Sequence, residues 1–255
     1  MTTPVKNPET KVKRPEESLF KRLSRQQLFI PVAALVLLVL FNSIADPSFF
    51  AVSLKENSLG NPVLSRNIIS VMDNASELVI LAIGMTLVTA SSGGQDISVG
   101  AAMAIAGSVI LRMVCGGQVT ADTMQMSLLL AVLIGILVSM VFGAFNGVLV
   151  AYFKIQPMVA TLILYTAGRS IAAWINNNQL PIINDLGFKY AGTFLPGVPI
   201  PTPIFITALI IVLFWLALKR TNLGLYTQSV GINANSSRLN GLDPKLIKLM
   251  TYVIL

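Results

Sequence analysis

The sequence predicts an all-α protein, a polytopic membrane helix bundle with six complete spanning helices and a truncated seventh. Three observations predict it. Apolar side chains make up 54% of the residues and charged ones only 11%, against roughly 25% charged in soluble domains. Mean hydropathy is +0.75. The apolar residues also gather into long runs, and most of the lysines and arginines between them fall on one side of the alternation.

A helix needs roughly 20 mostly apolar residues to cross a hydrocarbon core of about 30 Å. The first run is Leu28–Ala45. Its basic leader and Ser43-Ile44-Ala45 loosely fit a cleavable signal peptide, but the long leader and near-spanning length favour an uncleaved span. The second, Ile68–Ala90, is interrupted by Asp73, Asn74, Ser76 and Glu77. That half either lies in the interface or faces a wet cavity. The third is Ile97–Cys115. The fourth, Met126–Phe153, is too long to cross upright and should tilt or protrude.

Small residues recur along the fourth run at every fourth position: Ala131, Gly135, Ser139, Gly143, Gly147 and Ala151. Close backbone approach supplies much of the attraction between helices in lipid. The ridge therefore predicts a central helix with a tight neighbour. Asn146 lies beside it, and an amide in hydrocarbon must find a partner or water. It is either a bundle hydrogen bond or a cavity-lining group.

The fifth run, Met158–Ile175, is opened by Gln156-Pro157, with proline suited to the first turn. It carries Arg169 mid-span. An intramembrane arginine is costly and a functional candidate, unless it snorkels or pairs with a buried acid. The sixth run is Pro203–Leu218. A seventh starts at Leu246 and reaches the last residue, Leu255. At about 1.5 Å per residue it covers half a bilayer, so the chain reads as cut short.

Orientation follows from lysine and arginine in the loops. Lys6, Lys11, Lys13, Arg14, Lys21, Arg22 and Arg25 precede the first span. Threading puts Lys154, Lys219, Arg220, Arg238, Lys245 and Lys248 on the same face, against Lys55, Arg66 and Lys189 opposite. Arg112 and Arg169 fall within spans. The N-terminus is expected in the cytoplasm, with residues 1–27 a basic tail and 28–255 one membrane domain. The net charge of +7 then reflects topology and headgroup contact. Charge spread over loops in this way argues against nucleic acid as a partner.

The chain has one cysteine, Cys115, and no histidine. No internal disulfide can form, and zinc or haem would lack their usual ligands. No metal site or catalytic residue is expected, because no nucleophile–base pair, paired carboxylate or phosphate loop is present.

Three connecting segments carry information. Ser91 to Gly100 reads Ser-Ser-Gly-Gly-Gln-Asp-Ile-Ser-Val-Gly. Serine and glycine break the helix, and Asp96 is placed to cap the next one. A flexible break beside a cap also suits a gate, where irregular backbone lines a cavity. The segment Asn176–Pro201 is rich in Asn, Pro and Gly. It is either a solvated loop or a surface that docks a partner or lines an outer vestibule. In Thr221–Lys248, Asn233 can start a short helix over Ala234–Asn240 and Gly241 can end it. Asp243-Pro244 then opens the seventh run. A short helix with such definite limits forms a rigid knob suited to a soluble partner.

At these residues the chain resembles the permease subunits of ribose-type sugar ABC importers, which serve ribose, arabinose, xylose, galactose, galactofuranose or related ligands. Gln95-Asp96-Ile97-Ser98-Val99-Gly100 is similar to the family's Asp-Leu-Ser-Val-Gly element, here preceded by one extra residue. Gly143-Ala144-Phe145-Asn146-Gly147, with Gln156-Pro157 and Ala160-Thr161-Leu162, resembles a second. Gly224, Ser229-Val230-Gly231-Ile232-Asn233 and Leu239-Asn240-Gly241-Leu242 resemble the inner loop. The likeness runs from about Asn67 to the end, and its wording is nearest the galactofuranose-type branch.

The resemblance implies a transport subunit rather than an enzyme, in a bacterial inner membrane. It implies a second permease chain, as homo- or heterodimer, an extracytoplasmic sugar-binding protein and an ABC ATPase. It places no cofactor in this chain, with ATP and magnesium expected in the ATPase. It implies pathway or gate roles for Asp96, Ser98, Gly100, Asn146, Gly147, Gln156 and Thr161, which Arg169 joins on membrane cost. It implies ATPase coupling through Gly224, Gly231, Asn233 and Gly241. Further spans and a glycine-rich segment are expected beyond Leu255. The rival reading is an ion- or proton-coupled carrier, for which Asp73 and Glu77 are the available titratable groups.

Overall fold

A computed structural model describes residues 29–56, 62–65 and 67–255. The basic tail, Leu28 and Arg66 lie outside the described residues. The chain divides into two compact units, residues 1–51 and 52–255. The described part of the first holds α1, Phe29–Ala45, followed by a turn in which the Ser48 amide donates to Asp46 Oδ1 at 2.9 Å.

The second unit is helical apart from two small sheets. An antiparallel pair, β1 (Ser53–Glu56) and β2 (Pro62–Ser65), precedes α2 (Asn67–Ser92) and α3 (Val99–Val114). Next come β3 (Thr120–Ala121), α4 (Leu128–Ala151) and α5 (Pro157–Ile175). Then follow β4 (Ile182–Ile183), α6 (Leu186–Gly192), α7 (Thr202–Arg220), α8 (Leu223–Ile232), α9 (Ala234–Leu239) and α10 (Pro244–Ile254).

Every apolar run is a helix, and the result is a polytopic helical bundle. Six complete spans are not reproduced by length, however. Among the described residues α2, α4, α5 and α7 are long and apolar enough to cross a membrane, while α1 and α3 have 17 and 16 residues. The physical reason in α3 is local. The turn at 96–98 delays its start to Val99, and Gly116 and Gly117, both at positive φ, stop it after Val114. Arg112 accordingly sits in the last turn, donating to the Gly117 carbonyl at 3.3 Å. There it complements the helix dipole rather than lying mid-span.

The small-residue ridge makes α4 the central helix, with two tight neighbours rather than one. Gly135 meets Ile110 of α3, while Gly143 and Gly147 meet the backbone of α10 at Tyr252 and Leu249. A Cβ at Gly143 would overlap the Tyr252 carbonyl oxygen, whereas one at Gly100 would meet open space. Gly143→Ala is therefore expected to destabilise the purified chain by about 1–3 kcal/mol, the usual cost of overpacking. Gly100→Ala should leave stability within about 0.5 kcal/mol. Thermal unfolding in detergent checks both.

The connection over residues 176–201 is folded, not simply solvated. β4 pairs in parallel with β3, and Asn184 Nδ2 donates to Asp122 Oδ1 at 3.2 Å. Asp185 caps α6, accepting from the Gly187 amide at 2.8 Å. Val114, Cys115, Ala121, Ala131 and Ile183 form a buried cluster beneath this end.

The opposite end carries the described basic residues of the inner-face assignment, Lys154, Lys219, Arg220, Arg238, Lys245 and Lys248. There α9 and α10 start where expected: Asn233 Oδ1 accepts from the Ser236 amide at 3.0 Å and Asp243 Oδ1 from the Lys245 amide at 3.0 Å. Gly241, at φ +83°, follows α9 in the left-handed region. One helix was not expected. α8 runs through both Gly224 and Gly231, so the knob is a pair of helices.

Candidate gate and its link to the basic face

The candidate gate region begins where α2 ends. Ser92 Oγ donates to the Val88 carbonyl at 2.8 Å, and Gly93, at φ +72°, turns the chain out of the helix. Gly94 lies against Pro157 at the start of α5, close enough that a Cβ would fall 2.6 Å from the proline Cβ. Residues 93–98 are irregular until α3 begins.

Four of the expected site residues meet in this break. Asp96, buried, accepts at Oδ1 from the Ser98 amide at 2.7 Å and the Ser98 hydroxyl at 2.6 Å. Asn146 Nδ2 donates to Ser98 Oγ at 2.7 Å and more weakly to Asp96 Oδ2 at 3.4 Å. The Ile97 amide donates to Thr161 Oγ1 at 3.1 Å. The irregular turn is thus pinned to α4 through Asn146 and to α5 through Thr161.

Asp96 is not the cap residue of α3. Ser98 holds that position without a side-chain bond to the helix amides, and Asp96 secures the amide two residues on. Short acidic side chains often close a turn in this way. A buried carboxylate is tolerated only where donors surround it, and these side chains and amides supply them. Asn146 Oδ1 is buried without a partner among the described residues. Asp96, Ser98 and Asn146 line part of an otherwise mostly apolar cavity of about 340 Å³ between α3, α4 and α10.

The remaining site residues lie elsewhere. Gly147 serves the α4–α10 contact and Gly100 faces open space. Gln156 occupies the cap position of α5 without capping it. Arg169 is exposed on α5, its guanidinium 5.5 Å from the Tyr165 ring centre. Gly224 approaches Leu218, and Gly231 lies against the last turn of α2. A Cβ there would overlap the Ala90 carbonyl oxygen. One residue on, Ser91 Oγ and Thr251 Oγ1 of α10 share a hydrogen bond of 2.7 Å. The α8–α9 knob therefore touches α2 immediately before the break.

Residues 67–255 match the model of a family described as the permease component of branched-chain amino acid transport systems. The chain belongs to this permease family. It is 39% identical to the galactofuranose transporter permease protein YtfT of Escherichia coli K12, over 94% of this chain and 66% of that protein. It is 32% identical to the fructose import permease protein FruF of Bifidobacterium longum, over 96% of this chain and 66% of that one. Identity to the ribose import permease protein RbsC of Escherichia coli K12 is 31%, over 86% and 62%. The chain thus spans about two thirds of the length of these relatives. No solved structure matches it. Membership agrees with the resemblance carried by the three motifs.

Sequence reasoning about this permease missed four participants. Ala90 enters through its carbonyl, which no residue pattern marks. Thr251 sits in the middle of an apolar run. Ile232 and Leu239, on the knob, are 86% and 90% exposed, although such apolar residues are ordinarily assigned to a core.

Proposed function

We propose that this chain is the membrane-embedded permease subunit of an ATP-driven importer of a monosaccharide, in a bacterial inner membrane with its N-terminus in the cytoplasm. In this reading α1 and α3 also cross, and α10 enters from the cytoplasmic side. A soluble binding protein delivers sugar to the outer face, and a separate ATPase holds ATP and magnesium. The observation that carries the reading is the contact of Gly231 with Ala90. It joins the inner-face knob to the helix turn that opens into the Asp96 break, so displacement of the knob is felt at the gate. Two-state movement of packed helices is the ordinary means of such coupling.

The partner surface on the knob is Ile232 and Leu239. Exposed apolar anchors of this kind carry interface energy. Leu239→Asp is expected to weaken ATPase co-purification by at least roughly tenfold, since hot-spot losses reach about 2 kcal/mol or more, while membrane insertion is unchanged. Undiminished co-purification would remove the knob from the interface. A second permease chain is the natural cover for Arg169, whose charge is costly against lipid.

Uptake decides the mechanism. A host strain lacking its own galactofuranose permease, expressing the gene for this chain with its ATPase and binding protein, is offered furanose and pyranose sugars. Uptake should stop on ATP depletion and survive collapse of the ion gradients. The second reading, an ion- or proton-coupled carrier, is favoured by one observation: Asp73 Oδ1 is buried in α2 without a partner among the described residues. Uptake that outlasts ATP but stops with the gradient would establish it.

A further inference from the structure

We propose that the basic face carries a binding crevice for the headgroup phosphate of an anionic phospholipid. A crevice of about 700 Å³ opens between the 154–157 link, α9 and the start of α10. Lys154, Arg238, Lys245 and Lys248 line it, with Asp243 as the one carboxylate among its lining residues. That carboxylate is engaged by its own helix, accepting from the Lys245 amide at 3.0 Å. Three separate segments therefore aim positive charge into one space, and the local acid is used elsewhere. Lys154 holds its place at φ +58°, a left-handed conformation uncommon for a side-chain-bearing residue.

Position selects the ligand. The crevice is walled by Ala151 at the end of α4, Pro157 at the start of α5 and Pro244 at the start of α10. The crevice thus sits where α4 ends and α5 and α10 begin, on the face that the proposed orientation turns to the cytoplasm, which puts it at the headgroups. Tyr152, exposed beside it, is an aromatic residue of the kind enriched at the membrane–water boundary. Lys245 Nζ lies 5.4 Å from the Tyr152 ring centre, which holds that cation at the same depth. Phosphate groups of the bilayer occupy this depth, and basic pockets between helices on the inner side suit anionic headgroups. Ile232 and Leu239, the apolar anchors of the knob, are not among the crevice's lining residues. The assignment to the inner leaflet rests on the orientation proposed above; the binding itself does not depend on transport.

The test is lipid titration of the purified chain in neutral detergent, followed by native mass spectrometry. Dioleoyl phosphatidylglycerol and dioleoyl phosphatidylcholine are compared, with inorganic phosphate as competitor. Phosphatidylglycerol should be retained preferentially. The preference should fall roughly fivefold for each cation removed in Lys154→Gln and Lys154→Gln/Lys248→Gln, and persist in Lys189→Gln on the other face. Salt, which screens exposed charge beyond about 10 Å at 0.1 M, should weaken retention in the unmodified chain. The proposal is overturned by equal retention of the two lipids, by a double variant that matches the parent, or by salt-independent retention. Displacement of the lipid by inorganic phosphate would also overturn it, marking a free-anion site.

Discussion

Replacing Gly231 with alanine should uncouple the knob from the proposed gate while leaving the chain in the membrane. The added Cβ overlaps the Ala90 carbonyl oxygen and lies 2.9 Å from its carbon. Both obstacles are backbone, so neither can rotate aside. α8 must move off α2, at the overpacking cost of about 1–3 kcal/mol. Disturbing a packed link between two sites typically changes their coupling by about 0.5–2 kcal/mol, which is roughly a 2- to 30-fold loss of uptake. Quantitative immunoblotting of membranes and initial uptake rates measure the two effects separately. Parent-like uptake at parent-like abundance would dissociate the Gly231 contact from transport.

Asp96 should give the largest loss of stability. Asp96→Ala leaves the Ser98 amide, the Ser98 hydroxyl and Asn146 Nδ2 without their carboxylate acceptor. Unmet donors in a buried site cost about 1–3 kcal/mol each and are only partly relieved by rearrangement, so a total of about 3–5 kcal/mol is expected. Asp96→Asn keeps one acceptor for Ser98, and rotation of the Asn146 amide lets Oδ1, now without a partner, accept from the new amide. Its stability cost should be about 1–2 kcal/mol. If the turn works as a gate, Asp96→Asn lowers uptake more than abundance. Equal losses of both would reduce Asp96 to a structural fastening. Thermal unfolding with parallel uptake assays distinguishes the two.

Features encoded within a few residues were legible in the sequence. Apolar runs gave the helices, and Asn233, Gly241 and Asp243-Pro244 marked the limits of α9 and α10, because capping is a contact between near neighbours. Partners distant in the chain were not legible. Asn146 read equally as a bundle bond or a cavity group, and it is both: Nδ2 holds Ser98 and the residue borders the cavity. The ridge on α4 announced close packing but not that α3 and α10 share it. α8 was hidden because Gly224 and Gly231 look like breaks. Gly231 is needed instead for the close approach to α2, a demand that only the folded chain makes visible.

The β3–β4 pairing gives the bundle an asymmetry. Two residues from each strand, with Asn184 on Asp122, fasten the α3–α4 connection to the one that leaves α5. Their far ends meet at the irregular 93–98 turn, where backbone ladders are absent and side chains provide the hold. A bundle fastened by backbone pairing at one extremity and by side chains alone at the other should not part evenly along its length. If the 93–98 turn is a gate, the expected motion is a pivot about the stapled end, as a lever turns about a fulcrum, opening a wedge widest beside the knob.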